Sequence, residues 1–308
     1  NVSNQADILG AVDNTMSTDN KGTLTLNGGN TVTGDIGSSN RLNELKSSGS
    51  SKTTLEGTVD AQDITISNTA TTYFKQKVTT SNGLDFTADG TVDVAANKQI
   101  DGSVDNDTGS DGTGSLILQD GATVTGTVGS SNSLKDIQLN NSTTLDVEEK
   151  WNTETLSLDG SGQVNVDADL GAHVDFDTDT TLDVAKNKEI KGSVDNTTGS
   201  NGAGTVILGD GADITGSVGF SNFLKDIQLN NSSTLNLDES WETNTFSLNG
   251  SGQVNVDGSI ESVDFDTDTT LNVSNQADIL GAVDNTTGTD NKGTLTLNGG
   301  NTVTGKIG

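Results

Sequence analysis

Several residue types that usually stabilise or interrupt a fold are rare in this 308-residue sequence. It contains no cysteine, no proline and one histidine, and only 3% of its residues are aromatic. Without cysteine, neither disulfides nor thiolate chemistry hold the fold together. Without proline, every residue keeps the amide that a strand paired on both sides requires. An apolar fraction of 29% excludes a thick globular core, yet the apolar residues are regularly spaced, unlike those of a disordered chain.

Positive charge is also scarce. The chain has 15 Lys and Arg residues against 44 Asp and Glu residues, for a net charge of −29. This charge argues against nucleic acid and anionic membranes as electrostatic partners. The sequence has no apolar run of membrane-spanning length, and no signal peptide or lipidation motif. We therefore predict no direct membrane insertion by this segment.

The sequence is internally repetitive. The phrase NVSNQADILGAVDNT at residues 1–15 returns at residues 272–286, and related phrases begin at Asp93 and Asp183. These matches predict repeat units 1–92, 93–182 and 183–271 with a partial unit 272–308, all within one continuous structure over residues 1–308. Because residue 1 lies in the middle of a repeated phrase, we interpret the sequence as an excerpt from a longer array.

A shorter pattern predicts the fold. Apolar residues alternate with polar ones, and pairs six residues apart, such as Leu26 and Val32, bracket turns such as NGGNT. This pattern is typical of short strands with one buried face. We predict an all-β parallel β-helix (β-solenoid) with rungs of about 20 residues grouped into repeats of about 90. Immunoglobulin-like sandwiches are the alternative, but the units lack the aromatic core and the linkers that these need.

Two segments depart from this pattern. The stretch RLNELK at residues 41–46 is the one short helix signal. A longer rung around residues 187–204 is predicted to carry a surface loop.

No segment predicts catalysis or a metal site. In DFDTDTTLDV, Asp175, Asp177 and Asp179 alternate around Phe176, so we interpret them as a solvated strand face rather than a calcium site. Thr-x-Thr pairs do not recur in every rung, which argues against ice binding. His173 has no second His and no Cys beside it in the chain, so we interpret it as a loop residue with neither a metal cluster nor a nucleophile partner. We predict no catalytic residue, no metal and no cofactor.

Departures from the repeat are the candidate contact sites. Trp151 and Trp241 occupy one position in successive units, where the first unit has Val59, and we interpret them as packed corner residues rather than a ligand platform. The segment TTYFKQKV adds the sole Tyr and two Lys to an acidic chain, and two Phe replace Ser130 and Ser133 of the preceding unit. The candidate contact residues are Tyr73, Phe74, Lys75, Lys77, Phe220 and Phe223.

The phrase GTLTLNGGNTVTGDIG at residues 22–37, echoed at 114–129 and 204–219, resembles bacterial autotransporter passengers, above all the rickettsial outer-membrane autotransporter antigens. The resemblance implies a β-helical stalk outside the cell that serves adhesion or surface-layer formation. We expect a non-catalytic extracellular structural protein, a long fibre or stalk on a bacterial surface. An adhesin for a host or neighbouring cell and a polysaccharide-active β-helix enzyme are the alternatives. The expected partners are further copies, end to end or laterally, and a cell-surface ligand.

Overall fold

The structure, a computed structural model, describes residues 1–16, 18–232, 234–237, 241–274, 276–286, 289 and 292–308. It is all-β, and its parallel strands stack as a β-solenoid of about 13 turns, as predicted. The described residues contain no helix, and therefore none that is long and apolar enough to cross a membrane. The chain divides into two compact units, Asn1–Ser157 (unit 1) and Leu158–Gly308 (unit 2). The predicted continuity over residues 1–308 stays a prediction.

Fifteen strands begin in unit 1, and they follow one another with short turns between them. Their bounds are β1 Thr23–Leu26, β2 Thr31–Val32, β3 Leu42–Ser47, β4 Thr53–Leu55, β5 Val59–Ile66, β6 Thr71–Phe74, β7 Val78–Phe86, β8 Thr91–Val94, β9 Gln99–Asp101, β10 Val104–Asn106, β11 Ser115–Gln119, β12 Thr123–Val124, β13 Leu134–Asn140, β14 Leu145–Val147 and β15 Trp151–Leu158.

Unit 1 is built on two parallel ladders. Strands β1, β3, β5 and β7 pair in succession in one ladder, and β2, β4, β6 and β8 pair in the other. In the first ladder, Leu24 pairs with Leu45, Leu45 with Ile64, and Ile64 with Leu84. Each pairing therefore advances the chain by about 20 residues, which is the predicted rung length. The strands of both ladders pair on both sides, which agrees with the absence of proline.

Fifteen further strands lie among the described residues of unit 2. Their bounds are β16 Gln163–Val166, β17 Leu170–Phe176, β18 Thr181–Val184, β19 Glu189–Ile190, β20 Val194–Asn196, β21 Thr205–Leu208, β22 Asp213–Ile214, β23 Leu224–Leu229, β24 Thr234–Leu237, β25 Thr243–Leu248, β26 Gln253–Val256, β27 Ser262–Phe265, β28 Thr270–Val273, β29 Val283–Asp284 and β30 Thr294–Leu297.

The same parallel stacking organises unit 2. One ladder runs through β16, β18, β21, β23, β25, β27 and β29, and a second through β24, β26, β28 and β30. Residues 197–204 form an irregular loop between β20 and β21. This loop confirms the prediction of a longer rung around residues 187–204.

The core is a column of inward-facing side chains. Leu, Ile and Val from successive rungs stack on one another, and Phe74, Phe86 and Phe176 fill the wider places. The column also holds hydroxyls: Ser47 Oγ and Thr72 Oγ1 lie 2.8 Å apart, and Asn68 Nδ2 donates to both. The two hydroxyls and the Asn68 Nδ2 group therefore avoid the full cost of an unpaired group, whereas Asn68 Oδ1 is buried with no hydrogen-bond partner among the described residues.

The short helix signal at residues 41–46 does not produce a helix. The segment lies in β3, paired with β1 on one side and β5 on the other. Leu42 and Leu45 are both buried, three residues apart, which resembles one turn of helix. The pairing with β5 passes from Leu42 directly to Glu44. At Asn43, the residue missing from this pairing, the alternation of inward and outward side chains shifts by one residue. Leu42 and Leu45 therefore both face inward from an extended chain.

The interpretation of the two tryptophans as packed residues is confirmed. Trp151 is 1% exposed and Trp241 is 2% exposed. Val128 bridges to Trp151 and Val218 to Trp241, just as Ile36 bridges to Val59 in the first repeat. The structure thus places Val59 at the position that the repeat alignment gave it.

One carboxyl group on β7 is expected to make stability depend on pH. Burial raises the pKa of Asp85 to about 6, and the charges of Asp107, Asp105 and Asp63 add to this. The folded chain then holds the proton more tightly than the unfolded chain, so Asp85 costs stability as pH rises through about 6. Partial exposure screens this cost. We expect Asp85→Asn to stabilise unit 1 by about 1 kcal/mol at pH 7.

Urea unfolding of both proteins at pH 7 and at pH 4 checks this expectation. At pH 4 the carboxyl of Asp85 is already protonated in the folded chain, so the gain should nearly vanish. A gain of equal size at both pH values would show that ionisation of Asp85 has no part in it.

Candidate functional site

Each repeat carries an aspartate followed by an asparagine, and we call these pairs the Asp–Asn anchors. Their members are Asp13 with Asn14, Asp105 with Asn106, Asp195 with Asn196, and Asp284 with Asn285. The first three pairs tie one rung to the next, whereas the side-chain amide of Asn285 binds carbonyls of its own loop. The Nδ2 of Asn106 donates to the carbonyls of Ser110 and Ser133 at 2.8 and 2.9 Å. Its Oδ1 accepts from the amide and the hydroxyl of Thr108 at 3.0 and 2.7 Å. Asn106 is fully buried, and it therefore fixes a surface loop to the following rung.

The aspartate of the anchor holds the turn of the next rung. Asp105 accepts from the amide of Ser131 at 3.0 Å, and from the hydroxyls of Ser131 and Ser130 at 2.7 and 2.8 Å. Burial raises the pKa of the Asp105 carboxyl, but the hydrogen bonds from Ser131 and Ser130 outweigh it and leave the pKa below its usual value. Asp105 is therefore ionised at neutral pH and acts as a charged acceptor.

The same anchor recurs in unit 2. Asn196 donates to the carbonyls of Ser200 and Phe223 at 2.8 and 2.9 Å and accepts from Thr198. Asp195 accepts from the amide of Ser221 at 2.9 Å. The sequence signal for these anchors is the dipeptide Asp-Asn in each repeated phrase. In the sequence alone, that phrase marks the repeat but does not reveal its role between rungs, because its partners lie up to 27 residues away.

Phe220 replaces a residue of this turn. In the preceding repeat the position belongs to Ser130, whose hydroxyl binds Asp105. Phe220 is 75% exposed. A phenyl ring offers no hydrogen bond to an aspartate and gains nothing from water, so the exchange leaves an apolar group on an acidic surface.

A pocket lies beside the same turn, at its other end. It has a volume of about 220 Å³, and we call it the Phe223 pocket. Phe223 is half-buried, Trp241 presents the edge of a buried ring, and Leu280 is 48% exposed. The pocket is lined by Phe223, Trp241, Glu242, Ser259, Glu261 and Leu280. Apolar side chains of the pocket thus lie beside two carboxylates.

The other candidate contact residues lie in unit 1. Phe74 is 1% exposed, so the core holds it and it is not available to a partner. Tyr73 is half-buried, and Lys52 Nζ lies 4.5 Å from the centre of its ring. Lys75 pairs with Glu56 at 2.7 Å, which raises the pKa of the lysine, and Lys77 pairs with Asp101 at 2.9 Å. These lysines bridge neighbouring rungs, and contact with a partner stays a prediction for them and for Tyr73.

The histidine expected in a loop lies in strand β17. His173 Nε2 is 2.9 Å from Asp175 Oδ1, and Nδ1 contacts the hydroxyl of Ser193. The hydrogen bond to Asp175 raises the pKa of His173 against the effect of burial. The expectation that His173 has no nucleophile beside it is therefore wrong. Serine lies on the neighbouring rung, a position that sequence spacing does not reveal.

Of the acidic run, only Asp175 lies in β17. Asp177 and Asp179 follow β17 in a bend, so the interpretation of all three as a strand face is wrong for these two. Asp177 and Asp179 are exposed, while Asp175 is more covered. The Oδ2 of Asp179 pairs with Lys225 at 2.8 Å, and its Oδ1 accepts from the Gly204 amide. Within the described part of the chain, no three His, Cys, Asp or Glu side chains converge on a metal position. The run therefore binds neighbouring rungs of its own chain.

Removal of divalent cations is expected to leave the melting temperature unchanged. The Asp179 carboxylate is paired by Lys225 and by the Gly204 amide. Asp177 accepts from the Thr197 hydroxyl of the next rung, so no cation is needed to hold the rungs together. Thermal unfolding in EDTA and in millimolar calcium checks this, and a large difference between the two would contradict it.

Parallel rungs and repeated Asp–Asn anchors define the class of this protein as a repetitive β-solenoid. The chain is 31% identical over 316 residues to Outer membrane protein A of Rickettsia rickettsii. The alignment covers 98% of this chain and 11% of that protein, so the chain spans about a tenth of its relative. No protein family and no solved structure matches the chain.

Proposed function

We propose that this chain is a segment of a non-catalytic structural protein that forms a long stalk or fibre outside a bacterial cell, of the autotransporter-passenger type. The single observation that carries the proposal is the Asp–Asn anchor, which recurs with the same partners at Asn106 and Asn196. A contact that recurs between successive rungs is typical of a structural role, because a solenoid is stabilised by the sum of its nearest-neighbour interfaces. The similarity to a rickettsial outer membrane protein supports the location.

The acidic surface supports the same proposal. A net charge of −29 favours the solubility of an exposed, extracellular segment. Cross-rung pairs such as Lys186 with Asp210 place the few lysines within the stack of rungs. We propose self-association end to end or laterally for the whole protein, with length as its main property.

The Ser193–His173–Asp175 group is the strongest argument for catalysis, and we propose that it is structural. His173 and Asp175 lie on the outer face of β17, and Ser193 directly precedes β20, where Val174 pairs with Val194. Nucleophilic catalysis also requires oxyanion donors and a concave site to hold the acyl group. A fluorophosphonate probe is expected to leave Ser193 unlabelled. Stoichiometric labelling of Ser193, lost in His173→Ala, would favour a hydrolase instead.

Antibodies against this segment test the proposed location on the native cells. We expect them to label intact cells, and we expect brief protease treatment of intact cells to remove the label. Labelling that appears only after permeabilisation would contradict an extracellular stalk.

Deletion of residues 93–182 should keep surface display, because it removes one whole repeat and joins equivalent positions of the repeat. The same deletion should shorten the stalk in electron micrographs.

A further inference from the structure

The Phe223 pocket places an aromatic ring and an exposed leucine beside two carboxylates. Elsewhere, side chains such as Lys75 and Lys77 already pair with the carboxylates beside them. Glu242 and Glu261 line the pocket, and neither carboxylate has a hydrogen-bond or ion-pair partner among the residues that the structure describes. Ser259 is already engaged, because its hydroxyl accepts from the Asp278 amide at 3.1 Å. The pocket therefore holds negative charge that the chain itself does not neutralise.

Keeping the Glu242 carboxyl group ionised in the pocket costs free energy. Burial raises the pKa of Glu242, and the charges of Glu261 and then Asp195 raise it further. A carboxylate in that position gains from a cation, which relieves both the loss of hydration and the repulsion. The ring of Phe223 and the side chain of Leu280 provide the apolar wall beside that charge.

The size of the pocket limits its occupant. Its volume of about 220 Å³ lies below the roughly 300–1,000 Å³ of typical small-molecule sites, and it therefore suits a single side chain. A guanidinium group is planar, stacks on aromatic rings and binds carboxylates through two parallel hydrogen bonds. An ammonium group is a more strongly hydrated point charge and gains less from a phenyl wall.

The repeat shows that the pocket was added to the scaffold. Phe223 stands where the preceding repeat has Ser133, and Glu242 stands where it has Asn152. Backbone contacts are the same at both places: the carbonyl of Ser133 accepts from Asn106, as that of Phe223 accepts from Asn196. The fold therefore does not require the phenyl ring or the carboxylate.

We propose that the Phe223 pocket binds an arginine side chain of a partner protein, with the guanidinium between Glu242 and Glu261 and against the ring of Phe223. The site lies beyond the proposed stalk role and gives the solenoid one specific contact on a repetitive surface. Exposed Phe220, on the same turn, extends the apolar contact outside the pocket.

The test uses the full chain labelled with ¹⁵N-tryptophan and titrated with the peptide acetyl-Gly-Arg-Gly-amide at physiological salt. Trp241 lines the pocket and Trp151 belongs to unit 1, so the second indole signal is an internal reference. The Trp151→Phe variant assigns the two signals. We expect a saturable shift of the Trp241 signal alone. The citrulline peptide, which has the same shape without the charge, should cause no saturable shift, and the lysine peptide should bind several-fold more weakly.

The matched variant is Phe223→Ser with Glu242→Asn, which restores the residues of the preceding repeat. It removes one of 44 acidic residues, so non-specific attraction barely changes. Binding should weaken at least about tenfold, as expected when a hydrogen-bonded charge partner is lost. Equal binding by the citrulline or lysine peptide, equal binding by the variant, or no shift of Trp241 would each overturn the proposal. None of these outcomes bears on surface display, which tests the stalk role separately.

Discussion

Replacement of Gly204 by alanine is expected to lower the free energy of unfolding of unit 2 by about 3 kcal/mol. Gly204 has a φ of +81°, and a Cβ there would lie 2.5 Å from Cγ of Phe176. The ring is fully buried and cannot move into solvent. The new methyl group would therefore add overpacking, at roughly 1–3 kcal/mol, to a left-handed backbone that costs an L-residue roughly 1–2 kcal/mol. Urea unfolding followed by Trp241 fluorescence, with Trp151→Phe in both proteins, measures the loss.

Gly199→Ala separates the two contributions. Gly199 has a φ of +82°, but a Cβ there would meet nothing within 4 Å. Its variant should lose only about 1 kcal/mol, the cost of the backbone conformation alone. Adding Phe176→Leu to Gly204→Ala should recover part of the larger loss, since a smaller side chain leaves room for the methyl group. Equal losses at Gly199 and Gly204 would mean that the ring yields without cost.

The stacking of rungs could be predicted from sequence because it depends on local alternation. Leu118 and Val124 flank one turn, and both face inward as their six-residue spacing requires. A side chain directed to the wrong face would leave a void in the next rung, so the pattern recurs through the repeats. Position in the repeat also predicted correctly that Val59 and the tryptophans occupy equivalent places.

The contacts that give the surface its character could not be predicted in the same way. Asn196 donates to the Phe223 carbonyl, 27 residues away, and no local pattern encodes that distance. At Asn43 the alternation of buried and exposed side chains shifts by one residue, which made the sequence of β3 resemble that of a helix. Phe74 was expected at the surface because its neighbours are charged, but parity within β6 turns it inward. Such features depend on where the chain turns from one strand to the next, which only the three-dimensional fold determines.

Replacement of Asn196 by alanine is expected to destabilise unit 2 by about 3 kcal/mol. The side chain is fully buried and makes four hydrogen bonds, two donated and two accepted. Without it, the amide of Thr198 loses its acceptor. The carbonyls of Ser200 and Phe223 each lose one of two donors, since the Thr198 hydroxyl and the Gly202 amide remain, and the opened loop leaves a cavity in the rung. Each buried polar group left unpaired costs roughly 1–3 kcal/mol, reduced where water enters the opened loop.

Hydrogen exchange locates this effect in the anchor. The loop of residues 197–204 should lose protection first, because Asn196 holds it to the following rung through Ser200 and Phe223. Asn244→Ala is the matched control, since Asn244 is an exposed residue of β25 in the same unit. It should change stability by less than about 0.5 kcal/mol. If Asn196→Ala left both stability and loop exchange unchanged, the Asp–Asn anchors would be a by-product of duplication, and the structural role proposed for the repeat would lose its main support.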